Sequence, residues 1–104
     1  MLCKHFPGCG GCTSQDIPYD QQLQTKQTFI ESLFPLHKVL PIIPCQNPWH
    51  YRNKMEFSFS QNKAGDRFLG LILRKSRGKV FNLEECFIAP EGYAETLSRI
   101  RSWW

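Results

Sequence analysis

Five cysteines carry most of the chemistry that this sequence offers. Cys3, Cys9 and Cys12 are separated by five and then two residues, and Cys86 follows far downstream. Together they supply the four thiolates that complete a tetrahedral donor set. An iron–sulfur cluster needs such ligands on a chain supple enough to wrap it, and Gly8, Gly10 and Gly11 provide that freedom beside Cys9 and Cys12. The same glycines leave backbone N–H groups open to donate to cluster sulfurs. Zinc is the rival: the Cys9–Cys12 pair with Cys3 or His5 and Cys86 also satisfies a tetrahedral ion, although structural zinc more often uses two short-spaced pairs. Spacing leaves both open and leans towards the cluster. Disulfides fit poorly, because the cysteine count is odd and no export signal precedes it. Cys45, in Pro44-Cys-Gln-Asn-Pro48, has no identifiable base beside it and reads as a free thiol.

The elements that must position these thiols are few, since 104 residues make one domain or part of one. The pattern predicts an α+β chain. An irregular Gly- and Cys-rich loop over 1–15 leads to a helix over 16–35, with Asp16 as cap, Pro18 in the first turn and an apolar stripe of Tyr19, Leu23, Ile30, Leu33 and Phe34 interrupted by Lys26. An antiparallel meander of three to four strands is expected over 38–89 and ends in Cys86. Its first, Pro41-containing run suits only an edge. Its next strand alternates Tyr51, Met55, Phe57 and Phe59 against Arg52, Lys54, Glu56, Ser58 and Ser60. Turns at 61–66 and 75–78 then set off strands over 67–74 and 79–83. A second helix over 90–104 carries Tyr93, Leu97, Ile100 and Trp104 at helical spacing. Trp103 and Trp104 are costly to expose, which leads us to expect further chain after them.

No run of eighteen apolar residues occurs, which excludes a membrane-spanning helix, and the first residues lack the apolar stretch of a secretory signal. A cytoplasmic location is therefore expected. The net charge of +4 is unevenly spread. Arg52, Lys54, Lys63, Arg67, Arg74, Lys75, Arg77 and Lys79 crowd one segment, opposed there only by Glu56 and Asp66. That distribution suits a polyanion such as nucleic acid, and equally a solvated basic hairpin whose lysines discourage edge pairing.

Several of these segments, in order, resemble the RNA uracil-5-methyltransferases of the 23S ribosomal RNA type. Cys3-Lys-His-Phe-Pro-Gly-Cys-Gly-Gly-Cys12-Thr-Ser-Gln15 is similar to that family's cluster motif, and Ile17-Pro-Tyr-Asp-Gln-Gln-Leu-Gln-Thr-Lys26 to the helix behind it. Trp49-His-Tyr-Arg-Asn-Lys-Met-Glu-Phe-Ser-Phe59 resembles the signature strand, and Gly70-Leu-Ile-Leu-Arg74 the next. Asn82-Leu-Glu-Glu-Cys86-Phe-Ile-Ala-Pro90 is similar to the segment that delivers the fourth cluster ligand.

The resemblance implies a four-iron, four-sulfur (4Fe–4S) cluster on Cys3, Cys9, Cys12 and Cys86, and methyl transfer from S-adenosylmethionine to uracil C5 in structured RNA, ribosomal RNA above all. It further implies that a cysteine adds to C6 and a carboxylate removes the C5 proton. Those groups sit in a carboxy-terminal domain that nothing here matches, and Cys45 is not their counterpart. Alone, then, the chain is expected to be the cluster- and RNA-binding part of an enzyme, inactive without its methyltransferase domain. A small barrel that many members place before the first cysteine also has no counterpart. Arg52, Asn53, Lys54, Lys75, Arg77 and Lys79 are the expected RNA contacts, mostly to phosphate. A stand-alone RNA-binding module, stapled by a cluster or by zinc and without catalysis, is the alternative.

Overall fold

The computed structural model of the protein describes residues 2–104. It has the expected α+β order: α1 (Tyr19–Leu33), β1 (Ser58–Gln61), β2 (Arg67–Gly70) and α2 (Tyr93–Trp103). α1 begins after Pro18, whose fixed φ suits a helix entry. No side chain caps it, so the expected capping by Asp16 does not occur. It ends before Phe34, because the proline ring at position 35 disfavours helical φ/ψ in the preceding residue. α2 starts later than the sequence suggests, behind Gly92 in a left-handed conformation (φ 92°).

β1 and β2 form an antiparallel pair in the register Ser58↔Gly70 to Gln61↔Arg67. The expected meander of three to four strands is thus reduced to two regular strands. The third run, 79–83, does return beside β2: Leu73 N–H donates to Lys79 O, Phe81 N–H to Leu71 O and Leu83 N–H to Leu69 O. It stays irregular because Leu69 N–H is taken by the Asn82 side chain (2.9 Å) instead of by backbone. The run over 38–43 joins no sheet. The start of the long strand read from Tyr51 leaves the ladder too, since His50 and Arg52 donate their N–H groups to Phe87 and Ile88.

Leu69, Leu83 and Leu97 make the core, with Phe57, Leu71, Phe81, Cys86 and Ile100 packed against it. Leu97 and Ile100 come from the stripe read on α2. Tyr93 meets Phe57 edge-on and Trp104 meets Phe59 at 4.8 Å, with Arg67 over the indole. Gly70 lets the third run approach: a Cβ there would lie 2.1 Å from Phe81 O. α1 is the exception to the expected packing. It has no buried residue and touches neither strand nor α2. No helix among the described residues is long and apolar enough to cross a membrane.

Candidate metal centre

Backbone pairing, rather than a core, orders the cysteine loop. Gly10 N–H donates to Ile72 O (2.9 Å) and Arg74 N–H to Gly8 O (2.8 Å), so residues 8–10 run antiparallel to 72–74 as one more edge. Gly10 has a steric reason to be glycine, since a Cβ would come within 2.7 Å of Ile72 O. None of Gly8, Gly10 and Gly11 takes a positive φ, so their use is close approach and not left-handed freedom. Two arginines grip the loop from outside. Arg52 donates to Gly11 O (3.2 Å), and Arg74 donates to Cys12 O while lying over the Phe6 ring.

A second set of contacts joins residues 3–5 to 84–85. Lys4 N–H donates to the Glu85 carboxylate (3.1 Å), the Cys3 thiol lies 3.8 Å from Glu85 O, and Glu84 N–H donates to His5 Nε2 (3.0 Å). His5 accepts at Nε2 as a neutral imidazole, and burial lowers its pKa in keeping with that. Its ring packs on Phe81 at 4.9 Å. Both contacts turn it into a bracket for the 84–86 segment.

Cys3, Cys9, Cys12 and Cys86 therefore line one small cavity, walled by Phe6, Leu71, Leu83, Phe87 and Ile88. The sequence-derived ligand set is brought together from both ends of the chain. Cys3 and Cys9 are buried, and Cys12 and Cys86 partly so. Burial raises the pKa of Cys3 and of Cys12, and neighbouring thiols push in the same direction. At Cys12 the positive charge of Arg52 and a hydrogen bond from Gln15 oppose this. Gln15 also accepts from Cys3 N–H (2.5 Å), so one side chain spans two of the cysteines. Gly11 N–H points at Cys9 Sγ (3.3 Å). At Cys12 the Arg52 charge and the Gln15 hydrogen bond act towards thiolate, the form that binds metal, but burial outweighs them and its pKa stands raised. Among the described residues no group of three or more His, Cys, Asp or Glu side chains is arranged to hold a metal ion. Cys45 lies elsewhere, exposed, with its thiol 3.1 Å from Asn47 O.

The basic residues divide. Arg52 is half-buried and engaged with Gly11 O; Lys54 pairs with Glu56 at 3.2 Å on the surface. Asn53, Lys75, Arg77 and Lys79 are exposed, the last three around the turn where Lys75 has φ 58°. Beside the cysteine loop, a groove of about 850 Å³ runs past Gln15, Tyr19 and Lys26 to Trp49, Tyr51 and Arg52. Trp49 and Tyr51 are not among the site residues read from the sequence, although both stand in the Trp49–Phe59 run that carries the resemblance.

A thiol-lined cavity thus stands beside a basic hairpin. The chain is 47% identical over 108 residues to an uncharacterized RNA methyltransferase of Protochlamydia amoebophila, covering 99% of this chain and 24% of that protein. Against proteins of the same description from Chlamydia trachomatis and Thermotoga maritima the identities are 41% and 32%. These cover 98% and 95% of this chain, and 27% and 22% of theirs. Over this stretch the chain is similar to proteins described as RNA methyltransferases, and it spans about a quarter of the length of the curated relatives it matches. No family model and no solved structure matches it.

Proposed function

We propose that this chain is the 4Fe–4S- and RNA-binding part of an S-adenosylmethionine-dependent RNA uracil-5-methyltransferase that acts on ribosomal RNA in the cytoplasm. The observation that carries the cluster reading is the convergence of Cys3, Cys9, Cys12 and Cys86 on one cavity. When bound, the cluster supplies cross-linking: it ties the amino-terminal loop to the 81–86 segment and offsets the small core of so short a chain. Uracil methylation transfers no electrons, so the role is structural.

The RNA reading is supported by the relatives' description, by the exposed Lys75, Arg77 and Lys79, and by the groove in which Lys26 and Arg52 accompany Trp49 and Tyr51. Cations paired with aromatic faces suit unstacked nucleotides. On this reading the chain alone does not methylate RNA, because the S-adenosylmethionine site and the attacking cysteine belong outside the matched stretch. Anaerobic purification with quantification of iron, sulfide and zinc tests the centre, with Cys86→Ser as control. About four irons and four sulfides per chain, lost in the control, are expected. One zinc per chain in place of iron overturns the cluster and leaves a zinc-stapled RNA-binding module.

A further inference from the structure

Apart from the four thiols, two polar side chains among the described residues line the cavity, His5 and Gln15. His5 is committed to Glu84 N–H. Gln15 is half-buried, belongs to no helix or strand, and serves two cysteines at once. Its Oε1 accepts from Cys3 N–H (2.5 Å), and its Nε2 donates to Cys12 Sγ (3.6 Å). The two contacts fix one another. A backbone N–H can only donate, so the amide oxygen must face Cys3, which leaves the amide nitrogen facing the sulfur; a flipped amide would set two donors against each other.

The turn that carries Gln15 is itself held. Ile17 N–H and the Gln22 amide both donate to Ser14 O (3.1 and 2.8 Å), and Gln22 donates also to Ile17 O (2.8 Å). Gln15 therefore reaches out from a fixed base, and less freedom is lost when its side chain engages. Cys3 needs such a partner, because it too lies in no helix or strand. Beside the contact to Gln15, its backbone is held by the turn bond from Phe6 N–H to Cys3 O (3.0 Å).

We propose that Gln15 is the positioning residue of this centre: its oxygen sets where Cys3 stands, and its amide nitrogen sets the orientation of the Cys12 sulfur and the charge that sulfur gives to a bound metal. Gln15 is not a ligand. The inference rests on the metal reading of the cavity above and adds to it the side chain that joins the two outer cysteines of the loop. A hydrogen bond to a ligating sulfur stabilises its more negatively charged state. In an iron–sulfur cluster that is the reduced state, so the bond raises the reduction potential. The potential here reports the field at the sulfur and implies no electron transfer in turnover.

The test uses the full chain, purified anaerobically, with two substitutions. Gln15→Leu removes both contacts, whereas Gln15→Glu keeps an acceptor for Cys3 N–H and replaces the donor to Cys12 with a further acceptor. Leu97→Ala, in the core, controls for lost stability. Iron release to a chelator and the midpoint potential in a dithionite titration are measured for each. Gln15→Leu should release iron about tenfold faster than its parent, as the loss of a residue behind a metal ligand commonly does. Both Gln15 variants should shift the potential to more negative values, Gln15→Glu further, while Leu97→Ala leaves it in place. An unchanged potential in both Gln15 variants, or the same shift in Leu97→Ala, overturns the proposal. If Gln15→Leu does not fold, Gln15→Glu decides alone. Zinc in place of iron in the parent sinks the cluster reading only: zinc release should then be about tenfold faster in Gln15→Leu than in Leu97→Ala, and equal rates overturn the role of Gln15. A parent that binds neither metal overturns both.

Discussion

Replacing Gly70 with alanine is the sharpest test of how Cys86 reaches the centre. The added Cβ would stand 2.1 Å from Phe81 O and 2.8 Å from Leu83 N, both backbone atoms that no rotamer change can move aside. Reaching ordinary contact requires the third run to retreat by roughly 1.3 Å. That motion breaks the bonds from Phe81 N–H to Leu71 O and from Leu83 N–H to Leu69 O, and loosens Leu83 in the core. Overpacking costs about 1–3 kcal/mol, and each lost hydrogen bond about 1 kcal/mol. The expected loss is therefore about 3–5 kcal/mol, a large share of the ~5–15 kcal/mol that holds a domain folded. It corresponds to a fall in Tm of roughly 15 °C or more. The control is Gly65→Ala, which meets nothing within 4 Å but sits at φ 89°; it should cost about 1–2 kcal/mol. Urea and thermal unfolding of anaerobically prepared protein give both numbers, and iron content should fall with Gly70→Ala only. Equal costs for the two variants, or a Gly70→Ala protein as stable as its parent, would refute the close-approach reasoning.

Leu97→Ala empties a buried position of α2 against Leu69 and Leu83 and should cost about 2–5 kcal/mol in urea unfolding. Arg74→Met keeps the stem but removes the donor to Cys12 O; we expect iron to be lost to chelator severalfold faster, with RNA affinity changed far less. Combining Lys75→Ala, Arg77→Ala and Lys79→Ala removes three exposed cations at one turn. The triple variant should lower the slope of log affinity against log salt by about 2. Arg52→Ala with Lys54→Ala is expected to weaken RNA binding at low salt; unchanged affinity there would remove both from the interface.

Local signals made much of this architecture readable. Pro35 and the stripe of Leu97 and Ile100 mark helix positions through backbone sterics and periodicity, which act within a few residues. Cys3, Cys9, Cys12 and Cys86, which line one cavity, stood out in the sequence because sets of four thiols are scarce and their spacing is distinctive, whereas the pairing of 8–10 with 72–74 did not. Glycine-rich segments carry no side-chain period to announce a strand, and the fit depends on Gly10 meeting Ile72 O across a long separation in the chain. The same distance hid the second use of the basic run. A count of charges cannot tell Arg52 and Arg74, whose guanidinium groups are engaged by carbonyls of the cysteine loop, from Lys75 and Lys79, which face solvent. Asn82 is a further case: its side chain replaces a ladder bond and cuts the third strand short.

These long-range contacts make the cysteine loop and the basic hairpin one mechanical unit. The loop's carbonyls at Gly11 and Cys12 are the acceptors that fix Arg52 and Arg74, and its edge pairs with the strand that leads directly into the turn at Lys75. Cys86 closes the same unit from the far side, on the segment whose Phe87 and Ile88 carbonyls hold His50 and Arg52 in line. A centre placed there need not touch RNA to influence its binding. On the proposed reading, a cluster bound at this cavity would fix where the hairpin cations stand, and a structural centre and an RNA-facing surface would be two consequences of the same set of backbone contacts.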